Sequence, residues 1–209
     1  LYTNGNKVYA VTKDSFDIDK AESEKPETFV PAYTHKGTTQ TVEFENMLVP
    51  SYVSGLNYYT ATMIAPAGDN EVMTKSVIVG DIGGCSVNSD GMYATDTSRI
   101  NNNYSTQIAY VMFDDLMSSM ITGVSDVALN PGLVIAMDDN FAAFGEIYTG
   151  DERHNVIITT SKTLGNINFC AGIADGQRIA SISGIGKTVT VTSYGDCLLY
   201  TSPSPRDRS

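Results

Sequence analysis

The sequence contains few of the residues on which metal and redox chemistry usually depend. Its 209 residues include only three cysteines and two histidines, and tryptophan is absent. It also lacks an apolar run of the roughly 20 residues that a membrane-spanning helix needs, which predicts a chain without a membrane span. Basic residues are scarce, 13 against 24 acidic ones, and the net charge is −11. This charge argues against nucleic acid as a main partner, because phosphates repel an acidic protein.

The end of the chain differs in composition from the rest. Residues 197–207 read CLLYTSPSPRD, which resembles the conceptual translation of a transposase-type sequencing adaptor. We therefore treat 197–209 as an artefactual tail and leave it out of the fold prediction. The natural chain is then expected to end near Asp196, within a longer gene.

Removing the tail leaves two cysteines, Cys85 and Cys170. They are far apart in the sequence and lack the Cys-x-x-Cys spacing that is typical of a zinc site. Two interpretations stay open, namely two buried free thiols or one long-range disulfide. The cysteines therefore do not identify the redox compartment in which the protein works.

Apolar and β-branched segments predict strands along most of the remaining chain. The predicted strands are 7–11, 41–44, 58–64, 75–79, 133–137, 155–160, 166–173, 178–183 and 188–193. The segments 133–137 and 155–160 are apolar without alternation, which is typical of strands covered on both faces in a parallel sheet. Residues 85–104 are rich in Asn, Ser, Asp and Gly and predict a loop with a turn at 88–91.

Residues 106–121 carry the pattern of a helix. Apolar side chains recur there at spacings of three and four: Ile108, Met112, Phe113, Leu116, Met117 and Met120. Ser105 is a suitable N-cap, and Gly123 is a suitable C-terminal stop. The sequence therefore predicts an α/β fold that is β-rich, with a partial parallel sheet and one main helix at 106–121. This domain, 73–196, would follow a β-rich region or insertion at 1–72.

Three short segments resemble catalytic or binding motifs but lack an essential feature. The stretch 80–84, GDIGG, has Ile82 where trypsin-like peptidases have their nucleophilic serine. The stretch 183–188 ends in Gly-Lys-Thr like a phosphate-binding loop, but a strand pattern rather than a helix follows it. The acidic stretch 14–22 lacks the mid-loop glycine of a calcium-binding loop. None of the three predicts a site.

Four segments taken together resemble subtilisin-like serine peptidases. They are VIVGDIGG (77–84), NPGLVIAMDDN (130–140), HNVIITTS (154–161) and QRIASISGIGKTVTVTSYG (177–195). The resemblance implies that Gly83 and Gly84 line the substrate channel, where glycines let an extended peptide approach closely. It also implies that the amide of Asn140 donates to the oxyanion of the tetrahedral intermediate.

The resemblance implies a fragment of a secreted or cell-surface subtilisin-like serine endopeptidase, which would hydrolyse peptide or protein substrates. The family's nucleophile motif, Gly-Thr-Ser-Met-Ala, is absent, so the fragment is expected to be inactive as given. Asp138 and Asp139 stand before Asn140 where the family has a small residue and a glycine, which leaves a degenerate, non-catalytic relative open. No cofactor is expected, and a structural calcium ion is left open without a predicted position.

The alternative hypothesis is a non-enzymatic, β-rich structural or adhesion module of an extracellular surface or a virion. The content of Tyr, Thr, Ser, Asn and Gly suits adhesion or assembly. Strand direction separates the two hypotheses. Parallel pairing of 75–79, 133–137 and 155–160, with the helix against one face, favours the peptidase. An antiparallel meander across 126–195 favours the structural module.

Overall fold

The computed structural model describes residues 1–64, 72–100, 103–125, 128–137, 141–149, 152–161, 167–171, 177–185 and 188–195. These ranges contain eighteen strands and four short 3-10 turns. The strands are β1 (Tyr2–Asn4), β2 (Lys7–Phe16), β3 (Ala32–His35), β4 (Thr38–Thr41), β5 (Met47–Leu48), β6 (Leu56–Ile64), β7 (Val72–Val79), β8 (Ile82–Val87), β9 (Gly91–Ile100), β10 (Asn103–Met112), β11 (Met120–Ser125), β12 (Ala128–Leu129), β13 (Val134–Met137), β14 (Phe141–Thr149), β15 (Glu152–Ser161), β16 (Ile167–Ala171), β17 (Gln177–Ile185) and β18 (Thr188–Gly195). The turns are Ile18–Lys20, Pro26–Thr28, Phe44–Asn46 and Leu116–Ser118. No helical segment in these ranges has the length and apolarity needed to cross a membrane.

Most of the strands belong to four sheets, which we call layers 1 to 4. Layer 1 has the order β1–β2–β6–β7–β5, and layer 2 has the order β11–β10–β9–β8. Layer 3 has the order β12–β14–β15–β16, with β13 also paired to β14, and layer 4 is the hairpin β17–β18. A separate small hairpin consists of β3 and β4. Neighbouring strands are antiparallel, except that the short β5 runs parallel to β7.

The four layers are stacked in the order in which they occur along the chain. The core between layers 1 and 2 includes Tyr9, Val77, Met92 and Val111. The core between layers 2 and 3 includes Tyr93, Tyr110, Phe144 and Ile158. The core between layers 3 and 4 includes Leu133, Met137, Ile157 and Ile179. Layers 2 and 3 are therefore each covered by a sheet on both faces.

Strand β10 shows why these strands are apolar throughout. Successive side chains of a strand point to opposite faces of the sheet. Ile108 and Tyr110 lie in the core shared with layer 3, whereas Ala109 and Val111 lie in the core shared with layer 1. Every position along this part of the strand is thus buried, and an alternation of polar and apolar residues is not required.

The predicted helix at 106–121 is wrong. Residues up to Met112 belong to β10, residues from Met120 belong to β11, and only Leu116–Ser118 forms a helical turn. Ala109 pairs with Ala94 of β9 on one side and with Ile121 of β11 on the other. Because both faces of β10 are buried, apolar residues are dense enough that some also fall at helical spacings.

The predicted α/β fold with a partial parallel sheet is also wrong. The segment 75–79 lies in β7, which is antiparallel to β6. The segments 133–137 and 155–160 lie mainly in β13 and β15, which are both antiparallel to β14. The unbroken apolar pattern correctly indicated strands covered on both faces, but the covering elements are other sheets and not helices.

The predicted loop at 85–104 is wrong apart from its turn. Oδ1 of Asn88 accepts hydrogen bonds from the N–H groups of Asp90 and Gly91, at 2.9 and 3.1 Å, which stabilises the turn. The polar residues that follow lie in β9. Thr97 there is buried and hydrogen bonds to Thr106 of β10 at 2.8 Å. Their polarity therefore reflects hydrogen bonding in the interior and not exposure to solvent.

Candidate functional site

The chain passes from layer 1 to layer 2 through Gly80 and Asp81, within the GDIGG stretch. The N–H of Gly80 donates to Oδ1 of Asp96 at 2.5 Å. Nδ2 of Asn57 donates to the carbonyl oxygen of Gly80 at 3.2 Å, and the N–H of Asp81 donates to Oγ of Ser54 at 3.2 Å. The polar side chains around this crossing therefore bind its own backbone.

Asp96 is the buried acid of this group. Its side chain lies in β9 and the residue is only 5% exposed. Burial raises the pKa of Asp96, the N–H of Gly80 acts in the opposite direction, and the charge of Asp81 raises it further. A raised pKa is typical of a general acid. A substrate cannot reach this carboxyl group in the observed arrangement, however, because it is covered and already binds the backbone.

Gly83 and Gly84, the residues predicted to line a substrate channel, lie in β8 and contact other parts of the chain. A Cβ atom on Gly84 would lie 2.2 Å from the carbonyl oxygen of Pro131. A Cβ atom on Gly83 would lie 2.8 Å from Cβ of Val79. Both distances are shorter than van der Waals contact, so a side chain at either position would displace its neighbour. The structure assigns both glycines a packing role, and their contact with a substrate stays a prediction.

Asn140, the predicted oxyanion-hole donor, lies outside the described residues, as do Asp138 and Asp139. The described residues nearest to it in sequence, Met137 and Phe141, are partners in the antiparallel ladder between β13 and β14. The role of the Asn140 amide therefore stays a prediction.

A turn at Asn130–Gly132 separates β12 from β13, which both pair with β14. Opposite the turn, β14 has an irregularity at Glu146, whose φ of 50° is positive. Glu146 is 4% exposed. Its Oε2 accepts from Nδ2 of Asn130 at 3.0 Å, and its Oε1 accepts from the N–H of Ile179 in β17 at 2.9 Å. This buried carboxylate therefore joins the turn of layer 3 to layer 4.

Sequence reasoning missed both buried acids. For Glu146 there was a usable signal, since a Gly-Glu pair interrupts the apolar segment FAAFGEIYT, as is typical of a β-bulge. For Asp96 the signal was weaker, because the surrounding segment is polar and predicted a loop. A buried carboxylate needs hydrogen-bond donors around it, and the sequence does not show which segments supply them.

A small pocket lies next to these residues, between layers 2 and 3. It has a volume of about 200 Å³ and is lined by Ile82, Tyr104, Ala128, Leu129, Asn130 and Pro131. Two of these side chains have polar groups, the hydroxyl of Tyr104 and the amide of Asn130, and the amide is already held by Glu146. Sites for small molecules usually measure about 300 Å³ or more, so this pocket suits a single side chain or a few solvent molecules.

A larger, open depression lies beside the acidic stretch after β2 and measures about 630 Å³. Nζ of Lys20 lies 2.9 Å from Oδ2 of Asp17, and Nζ of Lys25 lies 2.6 Å from Oε2 of Glu22. The hydrogen bond from Lys20 lowers the pKa of Asp17. Across the described part of the chain, no three or more acidic, histidine or cysteine side chains are grouped to hold a metal ion. The calcium ion that the sequence left open therefore has no identified position.

Cys85 and His154 are two further nucleophilic and basic candidates among the described residues. Cys85 carries a free thiol, and burial raises its pKa to about 12. It is therefore protonated at neutral pH and poorly suited to nucleophilic attack. Nε2 of His154 lies 3.9 Å from Oε2 of Glu152, and both side chains are exposed.

Comparison with known proteins identifies no relative of this chain. No protein-family model, curated protein or solved structure matches it. Its role is therefore inferred from its own layers and contacts.

Proposed function

We propose that the chain is a non-enzymatic structural module of an extracellular surface or a virion. The observation that carries this proposal is the stack of four layers, each of which follows the previous one in the chain and shares an apolar core with it. Residue Tyr2 belongs to the first layer and Gly195 to the last. A force applied between the two ends of the described chain therefore acts across every junction of the stack.

Each junction also has hydrogen bonds between a side chain of one element and the backbone of another. Asp96 of layer 2 accepts from Gly80, which follows the last long strand of layer 1. Oγ of Ser86 in layer 2 accepts from the N–H of Ala136 in layer 3 at 2.8 Å. Glu146 of layer 3 accepts from Ile179 of layer 4. Such bonds fix the position of one layer on the next, because a buried group that loses its partner costs about 1–3 kcal/mol.

The buried acids thus have an architectural explanation. Catalytic acids usually lie in a cleft that a substrate can enter. Asp96 and Glu146 are both almost completely covered and bind backbone N–H groups. Because both acids are covered and bind the backbone, this arrangement supports a structural module in which they stabilise the fold.

An extracellular or virion location is part of the proposal. The chain is strongly acidic, and the outer face of layer 4 exposes uncharged hydroxyl side chains: Ser181, Ser183, Thr188, Thr190 and Thr192. Acidic and hydroxyl-rich surfaces favour solubility and limit non-specific binding to nucleic acid. Both properties suit a module exposed to a crowded exterior.

The peptidase hypothesis stays a prediction. Two structural features on which it depended, the parallel sheet and the helix at 106–121, are wrong. Gly84 packs against the backbone of Pro131 and so has a role without a substrate. We therefore favour the structural module over the peptidase.

Force spectroscopy tests the mechanical part of the proposal. Pulling the single chain by its two ends should release the layers in steps, because the layers occupy consecutive parts of the chain. Glu146→Ala should lower the force of the step that releases layer 4, since it removes the bond to Ile179. Continuous extension at low force without resolved steps would contradict a stack in which every junction resists the applied force.

A hydrolysis assay tests the absence of catalysis. The purified chain and an Asn140→Ala variant are each incubated with a fluorogenic peptide library. We expect no release of product above background from either protein, which is also the result expected of a peptidase fragment without its nucleophile, so only hydrolysis separates the two hypotheses. Hydrolysis that is lost on Asn140→Ala would overturn the proposal and support the peptidase.

A further inference from the structure

The fourth layer has fewer strands than the layers beneath it. Layers 1 to 3 contain four or five strands, whereas layer 4 contains only β17 and β18. Strand β17 contacts β13, β14 and β15 of layer 3, and β18 lies beside it. Within the described residues, no third strand pairs with the outer edge of β18. Two-stranded sheets are only marginally stable unless other elements extend or cover them.

The β18 edge lacks the features that usually prevent pairing with another chain. Proteins protect sheet edges with short strands, charges, prolines or bulges. The edge strands of layer 1 are three and two residues long, and β17 carries Arg178 and an irregularity after Ile179. Strand β18 has eight residues, TVTVTSYG, without charge, proline or register shift. The strand itself therefore adds no like charges to a contact between two copies, each of which has a net charge of −11.

The side-chain pattern of β18 is complementary to itself. Thr188, Thr190 and Thr192 are exposed, whereas Val189 and Val191 pack against the core between layers 3 and 4. Directly opposed residues of an antiparallel pair lie on the same face of the sheet. An antiparallel pair of two β18 strands with Thr190 opposite its own copy therefore places threonine opposite threonine and valine opposite valine. Such a contact is two-fold symmetric and closed.

We propose that two copies of this chain associate through β18, in antiparallel register about Thr190. The result is a continuous four-stranded sheet, β17–β18–β18–β17, whose central pair presents threonines on one face and valines on the other. This sheet has as many strands as layer 2. The association depends on the β18 edge alone, so it stands or fails independently of the structural role proposed above.

Sedimentation of the full chain under reducing conditions tests the association, and the reductant excludes copies linked by disulfides. We expect a concentration-dependent species with twice the mass of one chain, which is 22.5 kDa. A single species of one chain's mass at all concentrations would overturn the proposal. Thr190→Lys places two lysines opposite each other and should weaken association roughly fivefold, as expected for like charges in opposed positions.

Two further variants make the test specific to β18. Ser183→Lys is the matched control, because Ser183 is exposed and is the hairpin partner of Thr190 on the inner strand. It should leave the dissociation constant nearly unchanged. Mixing the Thr190→Lys and Thr190→Glu chains should restore association as a heterodimer. Equal weakening by Ser183→Lys, or no recovery in the mixture, would refute pairing in this register.

Discussion

Replacing Gly84 with alanine tests the close contact between layers 2 and 3. The added Cβ atom would lie 2.2 Å from the carbonyl oxygen of Pro131 and 3.0 Å from its carbonyl carbon. These are backbone atoms of a turn whose Asn130 is held by Glu146, so they cannot move away independently. We therefore expect the clash to lower the free energy of unfolding by about 3 kcal/mol, which is near the upper end of the range for overpacked cores.

The lower entropy of the unfolded alanine chain offsets this cost by at most about 1 kcal/mol. The net loss is about 2 kcal/mol, which corresponds to a fall in Tm of roughly 4–8 °C for a chain of this size. Urea unfolding and thermal melts followed by circular dichroism measure both quantities. The same experiments on the wild-type chain provide the reference.

Gly123→Ala is the matched control for this substitution. Gly123 also lies in an edge strand of layer 2, and a Cβ atom there would have no atom within 4 Å. Without a clash, the entropic term should raise stability by about 0.4–1 kcal/mol. A Gly84→Ala chain as stable as the Gly123→Ala chain would refute the packing role of Gly84.

Three further predictions concern buried or partly buried polar groups. Glu146→Ala should lower the free energy of unfolding by about 2–4 kcal/mol, because the N–H of Ile179 and the amide of Asn130 lose their acceptor. Glu146→Gln should lower it less, and urea unfolding measures both changes. The pKa of Asp96 is raised in the folded state, so the folded chain binds a proton at this carboxyl group more tightly than the unfolded chain does. The contribution of Asp96 to the free energy of unfolding therefore falls as the pH rises through its folded pKa. Asp96→Asn should therefore flatten the pH dependence of unfolding, and a loss of stability confined to acidic pH would contradict the assignment. Because its pKa is raised to about 12, Cys85 should react slowly with iodoacetamide at pH ~8 and faster in denaturant. Mass spectrometry of the peptide that contains Cys85 measures both rates, and equal rates would contradict its burial.

Much of the strand content could be predicted from the sequence. The predicted segments 58–64, 75–79 and 188–193 lie within β6, β7 and β18. β-Branched and aromatic residues in these segments favour strands, whatever the rest of the chain does. The Asn-Pro-Gly sequence at 130–132 also suits the turn that the structure has there, because proline fixes its own φ and glycine is conformationally permissive.

Strand direction and the covering elements could not be predicted in the same way. The pattern of 133–137 indicates burial on both faces, and this is what β13 shows, with Val134 in one core and Leu133 and Met137 in the next. The pattern is the same whether helices or sheets provide the cover. The parallel sheet was inferred from that cover, whereas the helix at 106–121 was inferred from apolar residues at spacings of three and four, and both are wrong.

The candidate site depended even more on contacts between distant segments. Gly84 could be identified as a position of close approach, but only the fold shows that Pro131, and not a substrate, approaches it. Asp96 and Glu146 bind N–H groups that lie 16 and 33 residues away in the sequence.

By itself, the sequence determined the acidic charge, the abundance of strands and the positions of local turns. These properties depend on composition and on interactions between near neighbours. Only the tertiary structure decided that the strands are antiparallel and stacked in four layers, and that two carboxylates connect those layers. Burial restricts a residue to being apolar or hydrogen-bonded, but it does not specify which part of the chain covers it.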